Sequence, residues 1–200
     1  IDQAGRSSNF TGTLSDDNSA APGSLTINNS GAGGAVTLSG VNTYTGATRI
    51  AGGATLALSE SGSVASSSGV TADGTYDITG TTQGASIQTL SGNGEVRTAA
   101  DKDLTLTNAS GMFSGVIGGA GGVVLSAGRE ILNGVNTYTG GTVVNSGTLI
   151  VGERSDLSNA SIAGSTAVLP GATLGGHGIV TSAGRILNNT GTVSPGNSIG

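Results

Sequence analysis

A seven-residue string occurs twice in this chain, letter for letter. Gly40-Val41-Asn42-Thr43-Tyr44-Thr45-Gly46 returns 94 residues later as Gly134-Val135-Asn136-Thr137-Tyr138-Thr139-Gly140. The likeness extends to both sides. Phe10-Thr11-Gly12-Thr13-Leu14 matches Phe113-Ser114-Gly115-Val116-Ile117 at an offset of 103. Gly53-Ala54-Thr55-Leu56-Ala57-Leu58 matches Ser146-Gly147-Thr148-Leu149-Ile150-Val151 at 93, and Thr89-Leu90-Ser91-Gly92 matches Thr173-Leu174-Gly175-Gly176 at 84. Repetition on this scale marks an architecture that stacks one unit on the next, because no unit buries its apolar side alone. The two long repeats, about 10–100 and 113–182, fill most of a single segment 1–200.

The offsets change along the chain, so the copies differ by insertions. Nine extra residues lie between the Phe and Tyr motifs of the first copy. Residues 16–24, polar and carrying Pro22-Gly23, are the natural insertion. An insertion that spares its neighbours belongs to a loop projecting from a regular stack.

Between the motifs, short segments alternate apolar and small polar residues, as in Leu25-Thr26-Ile27, Leu104-Thr105-Leu106 and Thr148-Leu149-Ile150-Val151. Alternation at period two predicts half-buried strands. The 38 glycines, with Asn, Ser and Asp, supply the tight turns between them. Nothing shows a sustained helical period. Collagen is excluded because glycine lacks a third-position period. Seven basic residues and a net charge of -5 give no electrostatic footprint for nucleic acid. There is no cysteine for a disulfide or a thiolate metal site. No apolar run approaches the roughly 18 residues of a membrane helix.

An all-β solenoid, a parallel β-helix, satisfies all of these features. At about 20–25 residues per coil and about 4.8 Å per coil, the chain makes roughly eight to ten coils, a rod of about 40–45 Å, and the repeat offset spans about four coils. A β-sandwich also has short strands and frequent turns. It explains neither the long repeat nor the insertion pattern.

The residues Phe113-Ser114-Gly115-Val116-Ile117-Gly118-Gly119, then Leu132-Asn133-Gly134-Val135-Asn136-Thr137-Tyr138-Thr139-Gly140-Gly141-Thr142 and Ser146-Gly147-Thr148-Leu149, closely resemble the passenger-associated transport repeat of bacterial autotransporters, the type V secreted proteins. The first copy departs by its loop insertion and by Ala47 in place of Gly141. The segment Gly191-Thr192-Val193-Ser194-Pro195-Gly196-Asn197-Ser198-Ile199-Gly200 resembles another stretch of such passengers. The resemblance implies a right-handed parallel β-helix, displayed on or shed from a Gram-negative cell. It implies a longer parent with a signal peptide and a C-terminal outer-membrane barrel, and a part for the repeat in passenger secretion and folding. The repeat architecture, with no convincing catalytic set, points to adhesion or host interaction as the role. Its partner would be a host cell-surface or matrix component, or sister cells. The alternatives are a secretion and folding scaffold, and a polysaccharide-active enzyme.

Candidate chemistry is sparse. Gly196-Asn197-Ser198-Ile199-Gly200 fits the G-x-S-x-G nucleophile pattern, but no strand-to-helix elbow follows it. His177, in a glycine turn opposite Asn93 of the other copy, lacks companions for zinc. Asp101 and Asp103 would share a face if extended, with Lys102 opposite, and Asp73 and Asp77 flank a turn around Tyr76. Neither pair has an obvious third acid within its own coil, though neighbouring coils could supply one; the chain is read as no enzyme, with no cofactor and no metal. Tyr44, Tyr138, Phe10 and Phe113 recur at equivalent positions and are expected in the core. A surface-contact region is expected at Asp16, Asp17 and Asn18, and at Tyr76, which lies outside the repeated motif.

Overall fold

A computed structural model describes residues 1–17, 21–181 and 186–196. Strands of mostly three to four residues follow one another with turns between them, and the named strands pair only in parallel. Three faces result. The first carries Leu25–Ile27, Thr48–Ile50, Val70–Ala72 and Leu90–Ser91. A bridge from Gly92 to Phe113 continues it into Met112–Phe113, Arg129–Leu132, Thr148–Val151, Thr173–Gly176 and Thr192–Pro195. The second runs from Ser8–Phe10 through Val36–Leu38, Thr55–Glu60, Thr75–Thr81 and Glu95–Thr98 to Val116–Gly119. It resumes at the Val135 bridge to Ser161–Ala163. The third begins at Ala85–Ile87 and passes Leu104–Leu106, Val123–Leu125, Thr142–Val144 and Thr166–Val168 to Ile186–Asn189.

The chain is a parallel β-solenoid, as the repeats predict. Eight turns separate Leu25–Ile27 from Thr192–Pro195, at about 21 residues each. The 3-10 helix Ser155–Leu157 is the one helical element among the described residues.

Strand alternation sets the core. On the second face Val36, Leu56, Tyr76, Val96 and Ile117 stack in register, each fully buried. On the third, Leu106, Leu125, Val144 and Val168 do the same. Each such side chain contributes about 1.5–3 kcal/mol on burial. The residues between them along the strands, such as Thr37, Asp77, Arg97 and Thr105, take the opposite phase and are not buried, so a narrow core suffices.

Two expectations are corrected here. Tyr76 is not at the surface. It lies inside Thr75–Thr81 with no exposure, because Tyr76 and Ile78 share the inward phase of that strand. Asp73 and Asp77 therefore do not flank a turn around it. Asp101 and Asp103 are not on one extended strand either: Asp101 has φ 60 in a tight turn closed by the antiparallel Ala99–Lys102 bridge.

Candidate functional sites at the repeat junctions

The repeated heptapeptide builds the same junction twice. Asn42 is buried in the first copy, and Asn136 in the second. The Leu14 N–H donates to Asn42 Oδ1 at 2.8 Å, while Asn42 Nδ2 donates to Gly40 O at 3.0 Å and Ser63 O at 2.9 Å. The Ile117 N–H donates to Asn136 Oδ1 at 2.8 Å, while Asn136 Nδ2 donates to Gly134 O at 3.2 Å and Ser161 O at 2.8 Å. One amide thus joins three successive turns. An amide has both a carbonyl acceptor and two donors, so this residue can satisfy backbone groups above and below.

Two residues on, the tyrosine enters the core. Tyr44 and Tyr138 are buried, and their hydroxyls meet Thr48 Oγ1 at 2.6 Å and Thr142 Oγ1 at 2.5 Å. Burial pushes both hydroxyls above the usual tyrosine range, against the smaller pull of those hydrogen bonds. In the first copy the network continues from Thr48 Oγ1 to Ser67 Oγ at 2.9 Å and on to Gly46 O at 2.8 Å. The second copy lacks that serine, and the Thr166 hydroxyl nearby has no partner. Neither tyrosine sits in a strand; each follows a one-residue bridge, at Val41 or Val135. Phe113 is likewise buried, and Phe10 packs against the core.

The flanking glycines are required by close stacking. A Cβ on Gly134 would lie 1.7 Å from Gly115 O, and one on Gly40 2.5 Å from Gly12 O. The Phe-x-Gly of one turn and the Gly-Val-Asn of the next are therefore two halves of one contact.

The junctions lie on different faces. The first copy's motif leads into Thr48–Ile50 on the first face, and the second's into Thr142–Val144 on the third. The 94-residue offset spans four turns and two-thirds, where about four was expected.

Of the expected surface-contact loop, Asp16 is engaged in the fold. Asp16 Oδ1 accepts the Gly23 N–H at 2.7 Å and Oδ2 accepts the Thr45 hydroxyl at 2.6 Å. These bonds, with Thr45 first, hold its carboxyl below the usual range. Asp16 closes the inserted loop onto the first junction. Asp17 is exposed, and Asn18 lies outside the described residues, as do residues 197–200 of the G-x-S-x-G string. His177 is half-buried, its N–H donated to Gly152 O at 2.8 Å. Among the described residues no group of three or more His, Asp or Glu converges as for a metal ion.

One residue with unusual chemistry escaped the sequence reading. Glu130 lies within Arg129–Leu132 with no exposure, and neither carboxyl oxygen has a hydrogen-bond partner. Burial pushes its pKa up to about 8, against a weaker downward pull from the Gly111 and Leu90 backbone. The signal was its phase: Glu130 is two residues before Leu132 and shares its inward face.

The family model of the passenger-associated-transport-repeat matches residues 30–58 and 119–151, each of which contains one junction asparagine and its tyrosine. No curated protein and no solved structure matches the chain.

Proposed function

We propose, from the premise that this chain carries two passenger-associated-transport-repeats, that it is a stretch of an exported autotransporter passenger and that the repeats fold and clamp the rod. The observation that carries this reading is the recurrence of one three-turn asparagine clamp in both copies, on two different faces. A chain that crosses a membrane unfolded must fold on the far side from whatever has emerged. Each clamp needs only the turns on either side of it, so folding can proceed turn by turn. Display at a Gram-negative cell surface or release from it, and a role without catalysis, belong to the same reading. The test is deletion of residues 119–151 from the parent protein. Surface display should fall sharply, with the passenger retained or degraded inside the cell. Undiminished display of a folded passenger would overturn the reading.

A second reading is adhesion or host interaction, with a host cell-surface or matrix component, or a sister cell, as partner. It is favoured by an open polar groove on the side of the rod, between residues 60–65 and 82–86. Saturable binding of the purified chain to host cells or matrix proteins, absent from an unrelated β-solenoid of similar charge, would support it. Binding no greater than that control would count against it.

A further inference from the structure

The groove results from a break in the third face. Its sheet starts at Ala85–Ile87, and the preceding turn, through residues 61–65, does not pair with that strand. Ala85 N–H bonds Asp103 O and Ile87 O accepts from Thr107 N–H, so both residues are committed to the following turn. In a parallel ladder the intervening residue faces the other way. The Ser86 N–H and C=O are therefore directed to the groove. The floor is tied by Thr82, whose N–H and hydroxyl both donate to Glu60 O.

The space is about 410 Å³, within the roughly 300–1,000 Å³ of small-ligand sites. Its chemistry is consistent along its length. Glu60, Gln83, Ser86 and Thr105 line it, and their side chains make no hydrogen bond among the described residues. Asp103 also lines it; its Oδ1 takes the Gly122 N–H at 2.6 Å, and its Oδ2 makes no hydrogen bond among the described residues. The only apolar side chains in the lining are Ala65 and Ala85. Glu60 keeps a φ of 54, a conformation in which glycine would be easier, and so does not owe its place to the turn.

We infer that this groove binds a short neutral oligosaccharide, held by the Glu60 and Asp103 carboxylates and the Gln83, Ser86 and Thr105 side chains. A polyhydroxylated ligand offers the donors that two carboxylates require and the acceptors that hydroxyls, an amide and a free N–H require. A peptide added as a strand would gain a single residue's worth of backbone bonds here and no apolar pocket for a side chain. An acidic sugar would meet two carboxylates, and the adjacent Lys102 ammonium is already donated to Thr82 O. Two carboxylates alone are too few for a calcium site.

The inference deepens the adhesion reading and is independent of the clamp. The experiment is a titration of the isotope-labelled chain, followed by amide chemical shifts, with cellobiose, lactose and chitobiose. Sialyllactose, calcium chloride and an alanine-serine tetrapeptide are run in parallel. Saturable shifts at residues 60–65 and 82–86 with at least one neutral sugar are expected, with sialyllactose at least about tenfold weaker. Glu60→Gln and Gln83→Ala, both at exposed side chains, should each weaken binding about tenfold without moving the thermal midpoint. Shifts elsewhere, no shift with any neutral sugar, equal binding of sialyllactose, or binding of only calcium or peptide would each overturn it. Cell binding that persists after a negative sugar result would keep the adhesion reading while removing this site.

Discussion

Glu130 is a carboxylic acid held out of water inside the rod. Its position in the ladder follows Gly111, which has no side chain, and precedes Leu149. A carboxyl there is tolerated by staying protonated, since an unpaired buried charge costs far more than a buried neutral group. The folded pKa of about 8 lies above the ordinary value of 4.5. The native state therefore binds more protons than the unfolded chain between those values, and stability falls as pH rises through that window. Denaturant unfolding at pH 5, 7 and 9 should show a loss of a few kcal/mol. Glu130→Gln should flatten the profile and be the more stable protein at pH 9. The clamp asparagines give the opposite kind of effect. Asn136→Ala leaves the Ile117 N–H unpaired inside the rod and removes one of the two donors to each of Gly134 O and Ser161 O, which keep their backbone partners. A loss of about 1–3 kcal/mol is expected, read from the denaturation midpoint and insensitive to pH.

The scale of the turn is governed by glycine contacts and strand phase. Gly134→Ala would press a methyl carbon into Gly115 O, and its cost should reach the upper end of the roughly 1–3 kcal/mol of overpacking. Gly12→Ala meets nothing within 4 Å, and should stay within about 0.5 kcal/mol of the parent. The pair separates a glycine kept for space from one that is not, with thermal unfolding as the measurement. Phase explains Tyr76 in the same terms. Thr75, Asp77 and Thr79 alternate with Tyr76 and Ile78, a period-two pattern plain in the sequence. Gly74 before it and the absence of a repeat partner made the segment resemble a turn. Burial of the ring leaves the Tyr76 hydroxyl unpaired, so Tyr76→Phe should be neutral or mildly stabilising.

The whole molecule behaves as a stack. Eight steps of about 4.8 Å place Leu25–Ile27 and Thr192–Pro195 about 40 Å apart along the axis. Small-angle scattering should give the long-tailed distance distribution of a rod. A compact sphere-like curve would contradict the fold. Since each turn contacts its neighbours, hydrogen exchange should be slowest around the two clamps. There three turns are joined at once.

Repetition, alternation and turn chemistry were enough to read the strands, the stacked architecture and the core placement of Tyr138 and Phe113, because each depends on neighbours along the chain. The rotation between the two junctions was not readable. A 94-residue offset becomes a fractional number of turns only when every loop length is known, and those lengths vary. Asp16 was legible as part of a loop but not as its latch, since Thr45 lies a full turn away. The groove and the buried Glu130 are likewise products of register. Whether a strand edge is covered, and which side chain lies over Gly111, depends on how one turn settles on the next.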